Sequence, residues 1–309
     1  MLRAGLLYLS EQPSIFRFIR SNALAKKLSS RFVAGETLDT AVSAVKELNA
    51  QGITASLDLL GESVHSAEAA RAAAGTATLM LDRIAALKLK ANISVKLTQF
   101  GLDADPKLCA ENLHRLLDRG RELGIFVRID MESTEYTQRT LELFSTDLRP
   151  AYGDGVGVVI QSMLRRSKVD VEQLVASQAR VRLCKGAYQE PPTVAFPDKR
   201  DVDRSYSELM EMLLERGNYP GIATHDEALI ARAKGFAKDH AIGRERFEFQ
   251  MLYGVRRDLQ QRLVREGYHV RVYVPFGTQW YPYLMRRLAE RPANIAFILG
   301  NVLKEGVRS

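Results

Sequence analysis

The chain has 309 residues, 46% of them hydrophobic and 26% charged, a profile of an ordinary globular protein and not of a disordered or fibrous one. Two cysteines, Cys109 and Cys184, without metal-ligand spacing exclude a disulfide framework or a zinc site and fit a reducing compartment, and no apolar run is long enough to span a bilayer. The net charge of +7 favours anionic partners: a nucleotide cofactor, an acidic metabolite or an anionic membrane surface.

The first residues are apolar, but Glu11 and Arg17 interrupt them and no small-residue cleavage site follows, so no signal peptide is expected. Phe16 to Leu28 carries a basic amphipathic pattern that packs on its own domain or rests on a membrane surface. From there strand and helix patterns alternate. The predicted strands are Ala55–Leu60, Asn92–Leu97, Phe126–Met131, Val156–Gln161, Val181–Lys185, Gly221–His225, Arg246–Met251 and Val270–Val274. Helical periodicity follows nearly every one, as at Lys107–Leu123 and Ser205–Arg216. Eight βα units in about 250 residues predict a closed (β/α)8 barrel of the TIM type, with an open doubly wound sheet as the alternative. The expected organisation is one catalytic domain over 1–309: covering helices in 1–45, then the barrel in 46–309.

In such a barrel the C-terminal strand ends and the loops after them line the active site. In chain order these ends carry Asp58 and Glu62; Ser94 and Lys96; Arg128, Asp130, Met131 and Glu132; Gln161; Arg182, Lys185 and Tyr188; Thr224, His225 and Asp226; Gln250, Leu252 and Tyr253; and Tyr273. Charged groups on core strands are costly unless paired or used, so Arg182 and Lys185 imply an anionic or electron-rich partner. Lys96 and Asp130, on adjacent strand ends, are expected to form a buried ion pair. After the last strand, Tyr283, Arg286, Arg287 and Glu290 are spaced i, i+3, i+4, i+7, which puts them on one helix face. Two adjacent guanidinium groups aimed the same way suit a carboxylate or phosphate held in fixed orientation. A solvated helix face with ion pairs is the bland alternative.

No Gly-x-Gly-x-x-Gly follows a strand, and Gly153 to Gly157 has the wrong spacing and precedes one. Walker and His-Glu-x-x-His motifs are also absent, so a nicotinamide-type Rossmann site is not expected. Lys185-Gly186-Ala187 with Thr224-His225 still provides basic and small residues able to hold a pyrophosphate.

Taken together, Arg182-Leu-Cys-Lys-Gly-Ala-Tyr188, Tyr283-x-x-Arg286-Arg287, Ser94-Val-Lys96-Leu and Asp58-Leu-Leu-Gly-Glu62 resemble the monofunctional bacterial proline dehydrogenases, over about residues 36 to 300. The resemblance implies a distorted (β/α)8 barrel that binds FAD and oxidises L-proline to Δ1-pyrroline-5-carboxylate, the first step of proline catabolism to glutamate, with electrons passed to a membrane quinone. It also implies a cytoplasmic enzyme, in peripheral contact with the inner face of the membrane or free of it. Δ1-Pyrroline-5-carboxylate dehydrogenase would be its pathway partner; no nucleic acid and no metal are implied. Carried over by motif, Arg182 would donate to flavin N5 and Gln161 to the isoalloxazine edge, while Met131, Lys185, Gly186, Ala187, Thr224 and His225 would line FAD. Arg286 and Arg287, helped by Lys96, would clamp the proline carboxylate. Tyr188, Leu252, Tyr273 and Tyr283 would wall the ring, Asp130 would hold Lys96 and the tyrosines, and Glu62 would close the site by pairing with Arg286. Gln189 stands where some relatives carry an aromatic residue, and Cys184 where an aliphatic one is common.

Two other classes fit part of the pattern. A Schiff-base aldolase on the same barrel would use Lys185 or Lys96 as nucleophile and the arginine pair as anion clamp. A basic RNA- or membrane-binding module would need exposed basic and aromatic stripes, whereas Tyr188, Tyr253, Tyr273 and Tyr283 fall at strand ends.

Overall fold

The computed structural model describes residues 30–61 and 63–290, without the side chains of Arg286, Leu288, Ala289 and Glu290. The amphipathic stretch from Phe16 to Leu28 lies outside the described residues. In chain order the elements are α1 (Leu38–Ala50), β1 (Thr54–Leu59), α2 (Ala67–Ala86), β2 (Ala91–Val95), α3 (Pro106–Leu123), β3 (Val127–Ile129), α4 (Thr134–Leu143), α5 (Arg149–Tyr152), β4 (Val156–Gln161), α6 (Ser167–Ala176), β5 (Arg180–Cys184), α7 (Lys199–Arg216), β6 (Gly221–Ala223), α8 (Glu227–Asp239), β7 (Glu248–Leu252), α9 (Arg257–Arg265), β8 (His269–Phe276) and α10 (Trp280–Glu290). Each strand pairs in parallel with its sequence neighbour, and β8 returns to β1 to close an eight-stranded barrel. This is the expected (β/α)8 architecture.

Local chemistry sets the helix starts. Thr37 and Thr40 form a capping box on α1. Asp105 caps α3 with Pro106 in its first turn, and Gly124 ends it in the left-handed conformation at φ 65°. Helix α7 begins at Lys199, six residues before the expected Ser205, because the Asp198 carboxylate accepts from the Arg200 backbone N–H. Within residues 1–45 the described helix begins at Leu38 and runs on to Ala50.

The strands alternate with a period of two. Leu57, Ile93, Val127, Ile129, Val181, Leu183, Phe249 and Val272 belong to the main apolar core. Between them stand Ser56, Asp58, Ser94, Arg128, Asp130, Arg182, Glu248 and Gln250, all buried. Their mutual hydrogen bonds place them in the barrel interior, where branched aliphatic layers are the usual filling. Gly221 on β6 leaves room for one of them: a Cβ there would lie 2.4 Å from Gln250 Nε2.

Helix α10 follows β8. Its Trp280, Tyr281, Tyr283, Leu284 and Met285 join Phe32, Val33 and Leu60 in a second apolar cluster, against which Tyr273 packs. Leu60 follows the C-terminal end of β1, so α10 sits toward the barrel mouth. Trp280 Nε1 fixes its start by donating to Glu36 Oε1 at 3.0 Å.

Candidate active site

The polar residues at the C-terminal strand ends form two connected groups. In the first, Asp130, just past β3, accepts from Arg182 Nη1 at 2.7 Å through one oxygen and from Tyr273 Oη at 2.9 Å through the other. Arg182 spreads its remaining donors to Gln250 Oε1, Ser56 Oγ and Ser94 Oγ. Its guanidinium lies 5.4 Å from the Tyr273 ring centroid. Burial, together with the Asp130 and Asp58 carboxylates, pushes the Tyr273 phenol well above its ordinary value, so the hydroxyl is a proton donor at neutral pH.

In the second group Lys96 Nζ donates to Asp58 Oδ1 at 2.7 Å, both side chains being almost fully buried. Burial raises the Asp58 carboxyl above its ordinary value, the nearby Asp130 charge adds to that, and Lys96 opposes it. The expected Lys96–Asp130 ion pair is therefore replaced by two others, Lys96–Asp58 and Arg182–Asp130. Reach and saturation explain the exchange. Arg182 crosses the barrel axis to Asp130, whose two oxygens are then committed, and Lys96 turns to the strand on its other side, β1. Asp58, Ser94 and Gln250 stand in or beside the motifs without an assigned role, and Ser56 is not singled out by the sequence. The signal that would have found them is their period-two spacing with Tyr273, Arg182 and Asp130 on neighbouring strands.

Around this centre, Glu132 accepts from Thr98 N and Oγ1, and the Glu132 carbonyl accepts from Gln161 Nε2 at 2.7 Å. Met131 is buried beside them. On the β5 side, Lys185 bridges Asp203 and, at 3.0 Å, Asp226. Gly186 has φ +107°, and a Cβ there would lie 2.4 Å from Met163 Sδ, so only glycine lets the backbone pass. Ala187 and Tyr188 follow, half-buried. His225, after β6, accepts the Leu252 N–H at 2.9 Å through Nε2, while Thr224 Oγ1 accepts the Asp226 N–H. These contacts bring Thr224, His225 and Leu252 together at the ends of β6 and β7.

From α10, Tyr283 is buried and Arg287 lies over its ring at 5.3 Å. Glu62 and the side chains of Arg286 and Glu290 lie outside the described residues, and with them the Glu62–Arg286 closure. The aldolase reading finds no support here. A Schiff base needs a free amine, and Lys96 and Lys185 are each tied to carboxylates. The RNA-binding reading fares no better, since Tyr273 and Tyr283 pack in the α10 cluster.

The proline dehydrogenase family model matches residues 41–299. The chain is 41% identical to a proline dehydrogenase of Deinococcus radiodurans over 98% of both chains. It is 40% identical to proline dehydrogenase 1 of Bacillus subtilis over 99% of this chain and all of that one. Among solved structures, proline utilization A of Bdellovibrio bacteriovorus, inactivated by N-propargylglycine, superposes with a TM-score of 0.83 at 25% identity over 96% of this chain and 39% of that longer one. A family match over most of the chain, relatives of the same length and an eight-stranded barrel of the same shape agree, and the chain belongs to the proline dehydrogenase family.

Proposed function

We propose that the protein oxidises L-proline to Δ1-pyrroline-5-carboxylate with a bound FAD, delivers the electrons to a membrane quinone, and thereby opens proline catabolism to glutamate. The observation that carries this reading is the buried Asp130–Arg182–Tyr273 group set beside the Lys96–Asp58 pair at the C-terminal end of the barrel. The residues at the ends of β4, β5 and β6 fit a flavin dinucleotide. The glycine at 186 admits a close backbone approach, and Lys185, Thr224 and His225 supply charge and polar atoms beside it. Bound there, FAD would supply the acceptor for the hydride equivalent leaving the ring carbon next to nitrogen. Gln161, Met131, Gly186 and Ala187 would line it, with Arg182 facing its N5 edge.

The remaining work belongs to the chain. Arg286 and Arg287, with Lys96, would fix the substrate carboxylate, leaving little rotational freedom; such positioning supplies on the order of 7 kcal/mol in good cases. Tyr188, Leu252, Tyr273 and Tyr283 would wall the pyrrolidine ring and exclude water, and Glu62 would close the site over Arg286. The substrate amine must lose a proton. Asp58 is a buried group whose proton affinity is raised and which is bonded to Lys96 Nζ, so we place that proton on the Asp58 oxygen.

As the family resemblance implies, we place the protein in the cytoplasm, reaching quinone by peripheral contact; no helix among the described residues is long and apolar enough to cross a membrane. A Δ1-pyrroline-5-carboxylate dehydrogenase would consume the product. The test is the visible spectrum of the purified protein, with L-proline then added without oxygen. Flavin bands that bleach support the reading. A protein that takes up no FAD, or a yellow one that proline leaves unchanged, overturns it.

A further inference from the structure

A cavity of about 560 Å³ opens at the opposite, N-terminal end of the barrel. Its lining includes Arg128, Arg180 and Arg271, with Glu248 the one acidic residue and Lys88 and Lys90 exposed beside them. Glu248 is committed to Arg271, which donates to both its oxygens at 2.7 and 3.1 Å. Its charge also acts on Arg128 and Arg180, but one carboxylate stands against three guanidinium groups and two ammonium groups.

Arg128 is 2% exposed, and its Nη1 donates to the Val158 and Arg180 carbonyls. Its Nε is buried without a hydrogen-bond partner, and so is Nε of Arg180. Both guanidinium carbons lie 4.6 Å from the Phe126 ring centroid, and Arg180 is also 4.9 Å from that of Tyr219. Cation–π contacts return roughly 0.5–2 kcal/mol each, less than the several kcal/mol that burying an unpaired ion costs. Burial, reinforced by Arg182 and Arg180, depresses the Arg128 pKa strongly, and burial depresses that of Arg180. Arginine keeps its proton even so. An anion in the cavity would restore the balance.

The site is built by the sequence. A Cβ at Gly157 would lie 2.4 Å from the Arg180 carbonyl oxygen, 2.7 Å from Arg128 Nη1 and 2.8 Å from Phe126 Cζ, so this glycine makes room for the guanidinium beside the ring. With Nη1 of Arg128 on carbonyls and both Nε atoms enclosed, the other terminal nitrogen of Arg128 and those of the partly exposed Arg180 remain for a carboxylate. Leu89, Leu123 and Phe126 give an apolar wall, and the volume is that of a metabolite site.

We propose that this cavity binds a small organic carboxylate, held by Arg128 and Arg180 with its aliphatic part against Phe126 and Leu123. The test follows the thermal midpoint of the holoenzyme with sodium succinate against sodium chloride at matched ionic strength, with inorganic phosphate as a second arm. Carboxylates can also meet the arginine pair of α10, so the same titration is run on Arg180→Gln, which gives up no hydrogen bond of the fold. Arg128, which holds two carbonyls, is left intact. The expected result is a saturable rise with succinate, weaker with phosphate, whose apparent affinity falls about tenfold or more in Arg180→Gln. No rise beyond chloride, an equal rise with phosphate, or a rise unchanged in Arg180→Gln overturns the proposal.

Discussion

At the scale of single residues, Asp130 is the junction of the site. It holds Arg182 and Tyr273 at once, and through Arg182 it is tied to Ser56, Ser94 and Gln250. A buried arginine that loses its carboxylate keeps its charge and turns to another acceptor, and the removal of one partner from a buried pair costs about 3–5 kcal/mol. Asp130→Ala is therefore expected to lower proline turnover by roughly two to three orders of magnitude, about 2.7–4 kcal/mol of barrier, with the flavin spectrum retained. A steady-state assay of the holoenzyme decides it: near-normal turnover would make Asp130 a structural residue. The importance of Asp130 was legible in the sequence, because a carboxylate at a core strand end demands a partner. Its partner was not legible. Neighbouring strand ends suggested Lys96, whereas a guanidinium on β5 reaches across the axis, and no one-dimensional pattern reports reach across a closed barrel.

At the scale of elements, the eight strands were readable in number and order because each carries outward Val, Ile, Leu or Phe against the helix ring. Their ends were readable to within two residues. Val156–Gln161 was met, while β8 runs to Phe276, past the expected Val274. Pro275 stopped the reading there, but a strand end tolerates it: its carbonyl accepts the Ala34 N–H at 2.8 Å and its missing donor is not required. Helix α10 is the element whose placement matters most, since it carries Tyr283 and Arg287. Its i, i+3, i+4, i+7 face and its position beyond the C-terminal end of the last strand were evident from the sequence, but its packing partners Phe32, Val33 and Leu60, far away in sequence, were not. Leu284 is 4% exposed in this cluster. Leu284→Ala removes about 2–5 kcal/mol of packing from a small cluster separate from the barrel core, so α10 should loosen while the barrel stays folded. The expected outcome is a several-fold rise in the KM for proline with a smaller change in kcat and in the main thermal transition. A change confined to kcat would detach α10 from substrate binding.

At the scale of the whole molecule, a polar column runs through the barrel axis where aliphatic layers are usual. It passes from Tyr273 and Asp130 through Arg182 and Gln250 to Glu248 and Arg271. Such a column is stable only while every member is satisfied. Glu248 is its most loaded acid, buried and bonded to Arg271 and Gln250, with the Tyr219 hydroxyl at 3.4 Å. Burial alone would raise its carboxyl, but Arg271, Gln250 and Arg128 outweigh burial and hold it below the ordinary glutamate value. A carboxyl depressed in the folded state stabilises the fold above its unfolded value, near 4.3, and that contribution is lost as pH falls through the folded value below it. The native protein should therefore lose stability from about pH 4 downward in part through this one group. Glu248→Gln keeps the shape and removes the charge, at a cost of about 3–5 kcal/mol at neutral pH because Arg271 is left buried and unpaired. Its deficit relative to the native protein should then shrink as the pH is lowered through the acid range, where native Glu248 is protonated too. Urea unfolding of both proteins from neutral pH into that range measures the deficit directly. A gap that stays constant across the range would mean that Glu248 binds its proton equally well folded and unfolded, and that the column is held by hydrogen bonds and not by charge.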